Sequence, residues 1–192
     1  MKTIFFDVDT QLDFVYPAGA LYIPGAENIV EALSALTRFA GQNEIQIIST
    51  VDAHSENDPE FKIWKPHCVA GTLGQQKVAK TLLNSRAILP ARAPQIIVEK
   101  QKLDCFTNPK LMPLIEELRA DRYVVYGVTS ELCVRCAAFG LLKTGAQIEL
   151  VTDAIKSLRS GDEQEMVERF QVEGGRLTTV ARVITGSRTG ER

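Results

Sequence analysis

The sequence predicts a three-layer α-β-α fold, in which helices cover both faces of a mostly parallel sheet of about six strands. Short runs of apolar and β-branched residues recur along the chain, and such runs are typical of strands buried on both faces. Segments with the apolar spacing of an amphipathic helix separate the runs. Because strands alternate with helices, we expect parallel strands joined by helical crossovers, a Rossmann-like arrangement.

The strands can be placed in chain order from the apolar runs. We predict them at residues 3–8, 45–51, 95–99, 123–128 and 147–152. A short sixth strand is predicted at 176–180. Each run is bounded by polar or turn-forming residues, which is the usual sign of a strand end.

Three helices are predicted between the strands. Their apolar faces are Ile29, Leu33, Leu36 and Ala40, then Leu132, Cys136, Phe139 and Leu142, and then Met166, Val167 and Phe170. Gly145 suits a position just beyond the end of the second helix, where a left-handed residue closes the last turn. Ser160 or Asp162 could cap the start of the third helix.

Composition and charge limit the class of protein. With 192 residues and 45% hydrophobic residues, the chain can bury one core, so we expect a single domain over 1–185 and a loose tail over 186–192. The net charge of −2 gives no reason to expect nucleic acid or an anionic membrane surface as partner. We see no apolar run near the ~20 residues of a membrane span, and the first apolar run is too short for a signal peptide. We therefore expect a cytoplasmic protein with reduced cysteines.

Charged and nucleophilic residues follow four of the predicted strands. Asp9 follows the first, Asp52 and His54 follow the second, Lys100 follows the third, and Cys133 comes shortly after the fourth. Carboxyl ends of parallel strands meet at one edge of the sheet, where ligands bind, so we expect these side chains to converge. Taken singly, each could instead be a turn cap, a surface charge or a small buried residue.

Both histidines of the chain lie in one loop, "VDAHSENDPEFKIWKPHC" at residues 51–68. Asp52 and His54 point to the same side of an extended segment, and His67 follows in the same loop. Histidine and carboxylate are common metal ligands, so one hypothesis is a divalent metal bound by these three residues. The alternative is a solvated loop whose histidines are incidental.

Cysteine, lysine and aspartate together indicate acyl transfer. Cys133 lies near the predicted helix start at Ser130, where the helix dipole favours a thiolate, and Lys100 would add positive charge. Asp9 could accept the thiol proton and pass it to a leaving group. Backbone N–H groups of Thr129 and Cys133 could form an oxyanion hole. This chemistry predicts amide hydrolysis through a thioester.

The motifs that carry these residues resemble one family in order and content. "DTQLDF" from Asp9 is similar to the opening of the isochorismatase-like cysteine hydrolases, and "YPAGALYIPGAENI" resembles the glycine-rich loop that follows there. "VEKQKLDCF" matches the family's strand-end lysine, here Lys100, and "VYGVTSELCVRCAAFGLLKTG" matches its nucleophile turn, here Cys133. The resemblance spans about residues 3–155.

The resemblance implies a specific branch and a specific chemistry. It implies an Asp9, Lys100 and Cys133 triad, a cis peptide bond between Val128 and Thr129, and a small-molecule amide as substrate. The nicotinamidase branch carries a similar Asp-x-His loop with a second histidine, which implies one divalent metal, with zinc favoured over iron or manganese. This metal would hold the pyridine nitrogen of nicotinamide at a site separate from the triad. By the same resemblance Phe14 and Trp64 would flank the ring.

Some positions depart from the family pattern, and these keep the exact amide open. Ala18 stands where a second glycine is common, and the segment after Lys100 is short and carries Cys105. Lys102 is a rival for the lysine role. A homo-oligomer is also left open by the sequence.

Other functions remain as alternatives. An amidase or carbamoyl hydrolase of the same family could act on a substrate without a pyridine ring. A remote alternative is a haloacid-dehalogenase-like phosphatase, in which Asp7 of "FFDVDTQL" would be the nucleophile and Asp9 the acid. A non-enzymatic ligand-binding domain, or a thiol redox sensor using Cys133 and Cys136, would leave the triad without a role.

Overall fold

The strands form one parallel sheet that reverses its order at the centre. A computed structural model describes residues 1–83 and 95–186, and within these ranges all pairings between strands are parallel. The strands are β1 (Thr3–Val8), β2 (Gln46–Asp52), β3 (Gln95–Lys100), β4 (Arg122–Val128), β5 (Gln147–Lys156) and β6 (Arg176–Thr178). Their order across the sheet is β3-β2-β1-β4-β5-β6. The chain winds outward in one direction from β1 and in the other from β4, so a ligand crevice is expected at the carboxyl ends of these two strands.

Helices cover both faces, which confirms the predicted three-layer fold. The helices are α1 (Leu12–Val15), α2 (Val30–Gln42), α3 (Leu111–Leu118), α4 (Arg135–Leu142), α5 (Ser160–Val172) and α6 (Val180–Gly186). Residues of α2 and α6 pack in one apolar cluster with one face of the sheet. Residues of α3, α4 and α5 pack in a second cluster with the opposite face. Within the described ranges, no helix is long and apolar enough to cross a membrane.

Strand β1 lies at the centre and is buried on both sides. Ile4, Phe6 and Val8 belong to one cluster and Phe5 belongs to the other, as the two-residue period of a strand requires. Gly127 of β4 lies beside the end of β1 with φ of 122°, and a Cβ atom there would lie 2.1 Å from the carbonyl oxygen of Val8. Glycine therefore allows β4 to approach β1 closely at the point where the crevice begins.

Most predicted strands are confirmed, with changes at their ends. β2 includes Asp52 and β3 includes Lys100, so these residues end the strands rather than follow them. β5 runs on to Lys156, beyond the predicted end at 152. The predicted strand at 176–180 stops at Thr178, because Asp153 of β5 accepts a hydrogen bond from the backbone N–H of Val180 at 2.8 Å, which helps α6 begin there.

The predicted end of α4 is confirmed, and the predicted cap of α5 is wrong. Gly145 follows α4 with φ of 81°, as predicted. The cap prediction for α5 is wrong, because the N-cap is Arg159 without a side-chain cap and Asp162 lies in the first turn. The predicted loose tail begins at Gly186, which is the last residue of α6, and 187–192 lie outside the described residues. A single domain over 1–185 stays a prediction.

Candidate active site

Side chains from three strands meet at the crevice, as the sequence predicts. Asp9 follows β1 with φ of 50°, Lys100 ends β3, and Cys133 lies in a π-helical turn, Ser130–Val134, directly after β4. The Lys100 Nζ lies 2.9 Å from Asp9 Oδ2 and 3.6 Å from Cys133 Sγ. All three residues are buried. The rival lysine, Lys102, is exposed.

Lys100 reaches the other two residues by crossing the end of a neighbouring strand. β3 is separated from β1 by β2, and Asp52 of β2 is the register partner of Lys100. The Lys100 ammonium accordingly also contacts Asp52 Oδ1, at 2.5 Å. A long side chain is needed to span this distance, and its charge is surrounded by the carboxylates of Asp9 and Asp52 and the thiol of Cys133.

Burial has the largest influence on the pKa of the Cys133 thiol. Burial raises the pKa of Cys133 well above its ordinary value, Lys100 lowers it, and the charges of Asp9 and Asp52 raise it further. Lys100 thus acts on the thiol in the predicted direction, while burial and the two carboxylates act against it. Because the raised pKa favours the protonated thiol, nucleophilic attack calls for a base, and Asp9 shares a side-chain hydrogen bond with this thiol.

The carboxylates around Lys100 carry more negative charge than it neutralises. Burial and the Asp9 charge raise the pKa of Asp52 to about 6, although Lys100 lowers it. For Lys100, burial lowers the pKa, but Asp9, Cys133 and Asp52 outweigh this and raise it well above its ordinary value. The site therefore holds a buried ammonium between two carboxylates, with an excess of negative charge at Asp52.

Asp52, His54 and His67 form a compact cluster with the donor set of a divalent metal site. Their ligand atoms all lie within 4.8 Å of one another, and the three residues are buried. The Nε2 atoms of His54 and His67 each lie 3.9 Å from a carboxylate oxygen of Asp52. The buried His54 Nε2 has no hydrogen-bond partner. This free nitrogen and the excess negative charge at Asp52 both fit a divalent cation.

The other ring nitrogen of each histidine fixes its tautomer. His54 Nδ1 lies 3.1 Å from Asp58 Oδ2, and His67 Nδ1 lies 2.7 Å from the carbonyl oxygen of Lys65. A carboxylate and a carbonyl oxygen can only accept, so each Nδ1 carries the proton. In the neutral imidazole, a proton on Nδ1 leaves the lone pair on Nε2, which is the form that binds a metal.

Gln11 and Asp13 hold the loops that carry the cluster, and sequence reasoning assigned neither a role. The Gln11 amide accepts from the Asp52 N–H at 2.7 Å and donates to the Asp52 carbonyl at 2.8 Å. Asp13 accepts from the N–H groups of Ala20, at 2.8 Å, and Cys68, at 2.7 Å, so it joins the glycine-rich loop to the residue after His67. Both belong to the "DTQLDF" motif. Two polar residues among the apolar residues at a helix start were the sequence feature that could have indicated their role.

A narrow, mostly apolar pocket opens onto these groups. The residues that line it are Phe14, Leu21, Ile23, Asp52, Glu60, Trp64, His67, Leu103, Val128, Thr129, Leu132, Cys133 and Leu158. Both residues predicted to flank a ring, Phe14 and Trp64, are among them. The Val128–Thr129 peptide bond is cis, as the resemblance implied, and both residues line the pocket beside Cys133.

The structure places the key residues of several alternative functions outside the pocket. Asp7, the nucleophile of the phosphatase alternative, is fully buried in an ion pair with Lys77 at 2.8 Å and does not line the pocket. Cys133 and Cys136 have the C-x-x-C spacing of redox pairs, but Cys136 lines a separate surface groove. Cys105 packs in the core, and Leu103 is the residue of that segment that lines the pocket.

The fold and crevice are those of an α/β enzyme whose site lies at the switch point of a doubly wound sheet. The family model for the isochorismatase domain matches residues 3–182. The chain belongs to the isochorismatase family.

Relatives of this family match most of the chain. Nicotinamidase of Saccharomyces cerevisiae is 21% identical over 210 residues, which cover 90% of this chain and 95% of the relative. The solved pyrazinamidase/nicotinamidase of Streptococcus mutans has a TM-score of 0.82 at 26% identity, covering 92% of this chain and 100% of that one. Pyrazinamidase of Pyrococcus horikoshii in complex with zinc has a TM-score of 0.81 at 25% identity, covering 93% and 99%. The family and these relatives indicate an amide-bond hydrolase.

Proposed function

We propose that the chain hydrolyses nicotinamide to nicotinate and ammonia through a thioester on Cys133. The observation that carries this proposal is one shared pocket. Cys133 lines it together with Asp52 and His67 of the candidate metal cluster. A substrate in this pocket can therefore present its amide to the thiol while its ring nitrogen faces the cluster.

Substrate recognition follows from the walls of the pocket. Asp52, His54 and His67 would hold a divalent ion, for which zinc is our first choice and iron or manganese the alternatives. When bound, this ion supplies a Lewis acid for the lone pair of a pyridine nitrogen. Phe14 and Trp64 would enclose the flat ring, and fixed placement of the amide lowers the entropic part of the barrier.

In acylation, Asp9 takes the proton from the Cys133 thiol as Sγ bonds to the amide carbon. Backbone N–H groups of Thr129 and Cys133 would stabilise the oxyanion that forms. Asp9 then returns the proton to the leaving nitrogen, the C–N bond breaks, and ammonia departs from the thioester. Lys100 stabilises the negative charge that passes between Asp9 and Cys133 during these steps.

In deacylation, Asp9 takes a proton from water as the water oxygen bonds to the thioester carbon. The C–S bond breaks, the proton returns to Cys133, and nicotinic acid is released, which loses its own proton to solvent to give nicotinate. The same carboxylate thus serves as base and acid in both halves of the reaction, as general acid–base catalysis requires.

Release of ammonia from a panel of amides tests the proposal. Nicotinamide and pyrazinamide, whose rings carry nitrogen, should be hydrolysed well, and benzamide poorly. Efficient hydrolysis of aliphatic amides or carbamoyl compounds, with nicotinamide inert, would instead support the other candidate, a family amidase with a non-pyridine substrate. One observation favours this second candidate. Leu103 lines the pocket, so the short segment after Lys100, which departs from the family pattern, forms part of the substrate wall. The cytoplasmic location also stays a prediction.

A further inference from the structure

Asp58 contacts two groups that belong to different parts of the site. Its Oδ2 lies 3.1 Å from His54 Nδ1, and its Oδ1 accepts a hydrogen bond from the Glu60 N–H at 2.9 Å. Asp58 is 8% exposed; its contact with His54 is buried, and its contact with the Glu60 N–H is partly buried. The spacing of four residues from His54 was its only signal in the sequence.

The first contact orients a metal ligand. With Nδ1–H donated to Asp58, the opposite nitrogen of His54 faces Asp52 at 3.9 Å and has no hydrogen-bond partner. The imidazole otherwise packs against rings, with centroids 5.3 Å from Phe61 and 4.8 Å from His67. Ring packing sets the plane of the imidazole but does not choose between its two tautomers, whereas a carboxylate does.

The second contact anchors the wall of the pocket. Asp58 is the N-cap of the 3₁₀ helix Pro59–Lys62, and the Trp64 N–H donates to the Glu60 carbonyl at 3.0 Å. Glu60 and Trp64 both line the pocket. One carboxylate therefore connects the imidazole of His54 to the turn that carries this wall.

We propose that Asp58 is a positioning residue that holds His54 as the Nδ1–H tautomer, so that Nε2 can bind a divalent metal. This inference rests on the metal site of the proposed function. Outer carboxylates of this kind usually change metal affinity by 10–100-fold when they are removed. The competing explanation is that Asp58 only caps the 3₁₀ helix.

Two substitutions separate these explanations. Asp58→Asn and Asp58→Ser both keep an oxygen that can accept from the Glu60 N–H, so the cap is retained. The asparagine amide would then offer N–H groups to His54 Nδ1 and favour the opposite tautomer, and serine is too short to reach the ring. Asp104→Asn is the matched control, because Asp104 caps the 3₁₀ helix Cys105–Thr107 through the same bond, to the Phe106 N–H at 2.9 Å.

Zinc affinity of the apo protein, measured by competition with a chromophoric chelator, gives the first result. We expect both Asp58 variants to bind zinc about 10–100-fold more weakly than the wild type, and Asp104→Asn to bind it equally well. Equal affinity in all four proteins would overturn the role of Asp58 and leave the metal site intact. A wild-type protein that binds no zinc would overturn the metal site itself, and this inference with it.

Imidazole ¹⁵N NMR of the zinc-free protein gives a second result that a cap alone would not change. The chain has only two histidines, so their signals are easily assigned. At about pH 8, above the ordinary imidazole pKa of ~6.5, we expect both to be Nδ1–H tautomers in the wild type. In Asp58→Asn, His54 should change to the Nε2–H form while His67, bound to the Lys65 carbonyl, serves as the internal reference. An unchanged His54 signal in a folded variant would overturn the proposal.

Discussion

Asp52 Oδ1 lies 2.5 Å from the Lys100 ammonium and 3.9 Å from His54 Nε2, and Asp52 Oδ2 lies 3.9 Å from His67 Nε2. One carboxylate thus belongs both to the candidate metal cluster and to the surroundings of the candidate triad. The sequence-based expectation of two separate sites is wrong, because neighbouring parallel strands place Asp52 and Lys100 in register. Charge at the metal cluster should therefore influence the thiol.

Removal of the metal should slow alkylation of Cys133 at a fixed pH near neutrality. The Asp52 charge raises the pKa of this thiol, and without a cation that charge is less compensated. Iodoacetamide labelling of metal-free and zinc-loaded protein, followed by mass spectrometry, measures the difference. Equal labelling rates would show that the shared carboxylate does not couple the two groups.

Replacement of the nucleophile should abolish turnover. We expect Cys133→Ala to release no ammonia above background while its circular dichroism and zinc content stay those of the wild type, because no thioester can form. Cys136→Ala is the matched control, since Cys136 lies three residues on and outside the pocket, and it should keep its activity. Turnover by Cys133→Ala at a rate near the wild type would exclude this mechanism.

The lysine should control the pH profile of the thiol. Burial already raises the Cys133 pKa, so alkylation of the wild type should increase with pH and reach its midpoint above the ordinary value of ~8.5. Lys100 lowers that pKa, so Lys100→Met should move the midpoint to still higher pH. The exposed Lys102, changed to Met, should leave the profile in place. A midpoint that Lys100→Met does not move would place the ammonium too far from the thiol.

The buried ion pair below the site should contribute to stability. Lys77 Nζ lies 2.8 Å from Asp7 Oδ2 and 2.6 Å from Thr10 Oγ1, and both charged residues are buried. Lys77→Met leaves the Asp7 charge without its partner, so we expect the free energy of unfolding in urea to fall by about 3–5 kcal/mol. Lys80→Met, which removes an exposed ion pair with Glu31, should leave it unchanged. A Lys77→Met protein as stable as the wild type would contradict this account of the pair.

The sequence predicts the sheet well because its strands are buried apolar runs, and it predicts convergence because parallel strands end at one edge. Asp9, Lys100 and Cys133 could be found from the rule that the carboxyl ends of parallel strands meet at one edge. Asp58 could not, because its contact with His54 depends on how the loop turns at Pro59. The shift from strand to helix at Val180 likewise depends on Asp153 of another strand, which local sequence cannot reveal.

The central claim is that the metal cluster recognises the ring nitrogen while Cys133 attacks the amide. The ratio of kcat/KM for nicotinamide to that for benzamide tests it most directly, since benzamide has the same amide without the ring nitrogen. We predict a high ratio for the zinc-loaded wild type, and a ratio near one for the metal-free variant with His54→Ala and His67→Ala, mainly through a higher KM for nicotinamide. A histidine variant that keeps the full preference for nicotinamide would contradict the account.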